Sequence, residues 1–153
     1  MAEKLSEARL RARLRAVEDH FRGEQEHDPQ QVLASFGPVA EWVDQATGRR
    51  YVGHEHVRSH YAQLFESFPD FRVDVRKLHV ATDAIIAEVE LQGTHSGHWN
   101  GIAATDRYVQ FPVCSVFTFD EQDRLSSEAV YYDRANVMEQ LGLLAENLKK
   151  ERV

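Results

Sequence analysis

An α+β fold is what this chain predicts, on three observations. Apolar residues recur at helical spacing in the first part, the period changes to two from Phe71 onward, and the later strands are joined by short polar turns. Helices first and consecutive strands afterwards imply an antiparallel sheet with the helices gathered on one face. The 153 residues suit a single domain, with a core over about residues 6–144 and a polar tail over 145–153. A chain of this size buries roughly 70% of its unfolded surface without staples.

Leu10, Leu14, Val17 and Phe21 share one helical face, so an amphipathic helix is predicted from about Ser6 to Arg22. Asp28-Pro29-Gln30-Gln31 offers an N-cap, a proline at the first helical position and a glutamine three residues after the cap. A short second helix should start there and reach about Phe36. Gly37-Pro38 ends it, and Val39 to Asp44 and Arg49 to Val52 read as a hairpin turning through Ala46-Thr47-Gly48. Val57, Tyr61, Leu64, Phe65 and Phe68 line a third helix that Pro69 stops. Val73 and Val75 then alternate with Asp74 and Arg76, and Thr82-Asp83 separates this strand from Ala84 to Leu91. Long strands follow at about Tyr108 to Phe119 and Leu125 to Tyr132, split by the polar turn Asp120 to Asp123. A helical stretch from Arg134 to Gly142 comes next, and the tail from Ala145 reads as a frayed helix.

The formal net charge of −7 and pI near 5.6 argue against a nucleic-acid partner, which would call for a basic stripe. Arg9, Arg11, Arg13 and Arg15 stand among Glu3, Glu7, Glu18 and Asp19, the pattern of a solvated helix face. Nowhere do about 18 apolar residues run together, so no membrane span is expected, and the reading is of a soluble, cytoplasmic protein. Cys114 is the only cysteine, which rules out an intrachain disulfide and a cysteine zinc motif. It stands in an apolar run, as a small core residue would.

Asp133 is the carboxylate to watch, because it stands where an apolar strand ends and a helix begins. Alternation puts Ala129, Tyr131 and Asp133 on one face and Val130 and Tyr132 on the other. An acid beside an aromatic in a half-buried pocket is suited to proton transfer. Asp before a helix is equally a preferred N-cap, and the two roles differ in orientation: inward for chemistry, outward onto the helix amides for a cap. His95 lies in the glycine-punctuated segment Gly93 to Gly101, where it either satisfies the bend or lines a pocket and shares proton transfer. His79, on an alternating strand, is a further candidate. Trp42, Tyr61, Trp99 and Tyr131 are candidate pocket walls, and Asp44 shares a face with Trp42, as a second inward acid or a turn-flanking residue. His54, His56 and His60 invite a metal reading, but only Glu55 stands among them, so no metal site is expected and they read as surface or pocket-rim histidines.

Gly53-His54-Glu55, Phe68-Pro69-Asp70, Gly93-Thr94-His95-Ser96-Gly97 and Tyr131-Tyr132-Asp133 followed by Gln140-Leu141-Gly142 stand in an order that resembles the SnoaL-like polyketide cyclase family, of the nuclear-transport-factor-2-like superfamily. The resemblance covers about Val17 to Leu143. It implies a cone-shaped α+β domain, in which a curved mixed or antiparallel sheet wraps around N-terminal helices and leaves one pocket. It also implies a homodimer and a cofactor-free acid–base enzyme, of cyclase, aldol, isomerase or dehydratase type, acting on a hydrophobic carbonyl compound. Asp133 matches the family's general acid/base; its partner stays open among His95, His79 and Tyr131, with His95 as the catalytic candidate and Tyr131, Trp99, His79, Trp42 and Tyr61 as candidate substrate contacts. The alternative is a binding or interaction module with the same pocket. One departure stands out: Thr105-Asp106-Arg107 occupies the place of a Thr-Gly-Arg turn, with consequences expected at the pocket entrance.

Overall fold

The computed structural model describes residues 4–145, so the expected frayed helix after Ala145 lies outside the described residues. Helix α1 spans Glu7–Gln25, with Ser6 capping it by accepting the Arg9 amide. It runs three residues beyond the expected end, because the apolar face of Val17 and Phe21 continues through His20 and Glu24. Helix α2 is Pro29–Ala34, and Asp28 caps it by accepting the amides of Gln30 and Gln31. The two helices meet at Gly23, where an added Cβ would stand 2.6 Å from the backbone nitrogen of Val32. Only glycine permits that approach.

Strands β1 (Phe36–Asp44) and β2 (Arg49–Val52) form the expected hairpin. Gly37-Pro38 falls inside β1, where the register against its neighbour shifts between Phe36 and Glu41. Proline is tolerated there because a bulge needs no ladder hydrogen bond from it. Helix α3 (His54–Ser67) follows, then β3 (Arg72–Val80), β4 (Ala84–Thr94), β5 (Tyr108–Phe119), β6 (Leu125–Tyr132) and the short α4 (Arg134–Gln140). The strand order is β2-β1-β6-β5-β4-β3. Through α3 the chain crosses from one edge to the other and returns strand by strand, so β6 arrives beside β1. That one pairing is parallel and all the others are antiparallel, which makes the sheet mixed.

The core lies between the helices and the concave face of the sheet, where Val17, Val32, Val57, Tyr61, Ile85, Phe117 and Leu125 are buried. Arg13 clamps the N-terminal half of α1 onto the sheet: its guanidinium meets Asp123 at 2.7 Å and the Thr82 carbonyl at 2.9 Å and lies over the Phe119 ring. No helix among the described residues is long and apolar enough to cross a membrane.

Candidate active site

A cavity opens between the helices and the concave face of the sheet, with about 910 Å³ between its walls, open mouth included. Phe21, Leu64, Phe68, Phe71, Val89, Leu91, Phe111 and Val113 make its apolar walls, and Trp42, Tyr51, Tyr61 and Trp99 add aromatic ones. The polar groups that reach it are few: Glu24, Asp44, Arg49, His60, Gln92, Asn100, Ser115, Glu128 and Tyr132.

Face parity decides which residues of β6 are present. Glu128, Val130 and Tyr132 line the cavity, whereas Tyr131 is 50% exposed on the opposite face. Asp133 is exposed and caps α4, accepting the Asn136 amide at 3.0 Å. That is the contact of a cap, and Asp133 is not among the residues that line the cavity. Tyr131 shares its outward parity and is not a pocket wall. His79 is exposed on the outer face, paired with Glu88, and takes no part in the cavity. His95 is fully buried but stands behind the wall, stacked on Phe68 and accepting the Thr105 amide at Nδ1. Of the expected contacts, Trp42, Tyr61 and Trp99 do line the cavity.

Four buried residues, from three elements far apart in the chain, meet at its floor: His20 and Glu24 of α1, Tyr61 of α3 and Glu128 of β6. His20 Nε2 lies 3.0 Å from Glu24 Oε1 and 3.0 Å from Glu128 Oε2. Tyr61 donates its hydroxyl to Glu128 Oε2 at 2.6 Å. His20 Nδ1 is 3.3 Å from Ser35 Oγ, whose own proton goes to the Val32 carbonyl at 2.6 Å. Ser35 can therefore only accept from Nδ1, and Nε2 faces two carboxyl oxygens. Both ring nitrogens are donors, which is an imidazolium.

Burial works against that charge, but the coulombic attraction and hydrogen bonds of Glu128 and Glu24 outweigh it and raise the His20 pKa to about 10. The two carboxyls respond in opposite directions. Burial raises both, yet at Glu128 the His20 charge and the hydrogen bonds from His20, Tyr61 and Ser115 prevail and hold it below its ordinary range. At Glu24 burial and the neighbouring Glu128 charge prevail over His20, and its pKa goes up. Burial followed by the two carboxylates likewise pushes the Tyr61 hydroxyl well up. The pair is thus pushed apart, Glu128 downward and Glu24 upward.

The second polar group of the cavity stands on β1. Asp44 accepts the amides of Ala46 and Thr47 and, through its other oxygen, the Tyr132 hydroxyl at 2.9 Å. It is thus inward and turn-supporting at once. Burial, then the Asp44 charge, raises the Tyr132 pKa. His60 and His56 do not point one way: His60 is buried against Trp42, and His56 is exposed and bonded to the Val52 carbonyl. Among the described residues the one group of three with metal-ligand chemistry is His20, Glu24 and Glu128. Its contacts are those of a shared proton at Nε2, the atom a cation would need, so the floor reads as a hydrogen-bonded cluster.

Sequence reasoning missed His20, Glu24 and Glu128. The signal was present in α1, where His20 and Glu24 continue the stripe of Val17 and Phe21 at spacings of three and four. Polar residues on an apolar helix stripe are either buried in a network or functional, and here they are buried in a network open to a cavity.

The family segments are joints around this cavity. Asp70 accepts the amide of Thr94 at 2.6 Å and its hydroxyl at 2.7 Å, and Gly93 leaves room for Phe68, so two of the segments fasten each other. Gln140 exchanges two hydrogen bonds with the backbone of Gln110, which docks α4 on β5. Gly142, with φ of 76°, ends α4, and the Leu143 amide reaches the Met138 carbonyl at 2.8 Å. Asp106, where a glycine was expected, has φ of 55°, a left-handed conformation that Asp tolerates better than most residues.

A family model described as SnoaL-like polyketide cyclase matches residues 12–141. Among solved structures, a protein described as a SnoaL-like polyketide cyclase from Jannaschia sp. CCS1 is 18% identical, with a TM-score of 0.80 over 94% of this chain and 99% of that one. A protein with a ketosteroid isomerase-like fold from Catenulispora acidiphila DSM 44928, crystallised with trimethylamine, is 20% identical, with a TM-score of 0.71 over 84% and 92%. TsrD from Streptomyces laurentii is 20% identical, with a TM-score of 0.75 over 92% and 100%. At these identities the likeness is one of fold. Among curated proteins none matches.

Proposed function

The chain belongs to the SnoaL-like polyketide cyclase family, and from that premise we propose that it is an acid–base catalyst acting on a hydrophobic carbonyl compound, with Glu128 and Glu24 as its proton-handling pair. The observation that carries the reading is the floor cluster: two carboxyls on either side of one imidazolium, pushed apart in pKa, beneath an apolar cavity. Pairs of titratable groups driven in opposite directions are how one site holds an acid and a base at the same pH.

In this mechanism the substrate lies along the aromatic walls with its carbonyl toward the floor. Glu128, held ionised, takes a proton from the carbon next to the carbonyl. The electron pair of that C–H bond moves toward the carbonyl oxygen, where protonated Glu24 donates a hydrogen bond or its proton. His20 does not line the cavity; its positive charge keeps Glu128 ionised and offsets the enolate charge as it develops. Asp133 has no part in these steps.

The test needs no natural substrate. Exchange of the α-protons of 2-tetralone in D₂O, followed by NMR, is expected to be accelerated by the protein. Glu128→Gln should lower that exchange by about 10²- to 10⁴-fold, the usual loss when a positioned general base is removed. Asp133→Asn, which keeps a good helix cap, should leave it unchanged. Exchange that survives Glu128→Gln would sink the assignment. Binding of 2-tetralone with no exchange by the unaltered protein would favour a ligand-holding module instead. The reading includes a homodimer joined through the outer sheet face, where Ile86, Val116 and Ala129 are neighbours across three strands.

A further inference from the structure

Among the buried titratable groups of the cavity that the mechanism leaves unused, one has a nitrogen without a hydrogen-bond partner. His60 is 8% exposed, lines the cavity from α3, and is set among aromatic rings: its centroid is 3.7 Å from Trp42, stacked, and 4.8 Å from Tyr51. Its Nε2 is sealed from solvent and has no hydrogen-bond partner among the described residues. A buried polar nitrogen left unpaired is costly, and each one in a native structure calls for something that satisfies it. His20 has a partner at each nitrogen, and His95 Nε2, behind the wall, is unpaired as well; of the two unpaired nitrogens only that of His60 belongs to a residue lining the cavity.

We propose that His60 is a specificity residue for the substrate of the proposed reaction, and that its imidazole makes a hydrogen bond to a hydroxyl or carbonyl oxygen of a neutral, flat, oxygenated ligand. The ligand is neutral because the ionisable groups acting on His60, Glu128 and Asp44, are both acids, which disfavour an anion beside it. Burial keeps the ring itself neutral near pH 7, with its pKa lowered to about 4, so it offers one donor and one acceptor and no charge. Arg49 also lines the cavity but is exposed, and serves its outer end. The ligand is flat because the surfaces around His60 are the rings of Trp42, Tyr51 and Tyr61, which favour offset stacking. The imidazole is part of the cavity wall, and a ligand reaches its sealed Nε2 by parting the ring stack of Trp42 and Tyr51. The ligand would then carry two oxygens, one met by Glu24 at the floor and one by His60.

This inference rests on the proposed function for its substrate class, but its test is a binding measurement and needs no turnover. Naphthalene and 2-naphthol are the probes, because they differ by one hydroxyl. Titrated into the full-length protein with tryptophan fluorescence as the readout, 2-naphthol is expected to bind about 10-fold more tightly than naphthalene. His60→Phe should remove that preference while leaving naphthalene affinity within about twofold, and His60→Gln should restore part of it. The ¹⁵N resonances of His60 should move on adding 2-naphthol and stay in place with naphthalene, a response that wall packing alone does not produce. Equal affinities in the unaltered protein, no binding of either probe, or equal losses for both probes in His60→Phe would overturn the proposal. No proton exchange by the unaltered protein, with the 2-naphthol preference intact, would overturn the reaction and spare His60.

Discussion

His20 carries a positive charge at a position with no solvent exposure, and it does so only because two carboxyls stand 3.0 Å away. That arrangement has a consequence for stability. The folded pKa, about 10, lies above the unfolded value of 6.5, so the folded chain binds more protons than the unfolded chain between those values. The contribution is complete below pH 6.5 and is lost as pH rises through 10. Glu24, also raised, acts with the same sign at its own range. The denaturant midpoint of the unaltered protein should therefore fall from pH 6.5 toward pH 10, and His20→Gln should flatten that slope while lowering stability most at the acid end. Chemical denaturation at a series of pH values checks it; a slope unchanged by the substitution would show that His20 is not the titrating group. At this scale the sequence was partly legible. Asp28 and Ser6 were readable as N-terminal residues because capping is a local affair, whereas the choice between cap and catalyst at Asp133 depended on orientation. Asp44 was readable as both inward and turn-flanking, and it is both.

The elements were the most legible level, since periodicity and terminators act over a few residues. The spans of β2, β5 and β6 match their predicted limits, and α3 stops one residue before its expected end at Phe68. Where limits moved, a contact from another element moved them. β4 runs on to Thr94 because Asp70 holds that residue, and α1 runs on to Gln25 because its far end is buried beneath α2. Gly23 is the hinge of that last arrangement and sits between His20 and Glu24. Gly23→Ala would drive a methyl group into the backbone of Val32, and overpacking of this kind costs about 1–3 kcal/mol. A lower thermal midpoint is expected, and because the floor acids ride on the same turn, slower proton exchange with it. A midpoint equal to that of the unaltered protein would mean that α1 and α2 separate at little cost.

For the whole molecule, one face of the sheet is spent on the core and cavity, and the other is left to solvent or a second copy. Val116 on the outer face neighbours Ile86 and Ala129, and the exposed Tyr131 stands on the same side. Sedimentation equilibrium is expected to show a dimer, and Val116→Arg should shift it toward monomer with little change in the helical circular dichroism; a monomeric unaltered protein would remove the dimer from the reading. The chain's own sequence determined the α+β class, the order of elements, their caps and breakers, and the resemblance that named the fold, because each of those rests on local preference or on short ordered segments. Only the tertiary structure decided which side of β6 faces the cavity, and a one-residue change of parity exchanges Asp133 and Tyr131 for Glu128 and Tyr132. It also brought Tyr61 onto Glu128 across 67 residues and set His20 between two acids. No local rule carries that information, since it arises from the packing of α1 and α3 against the curved sheet, and the proton chemistry of the floor exists only once those surfaces have met.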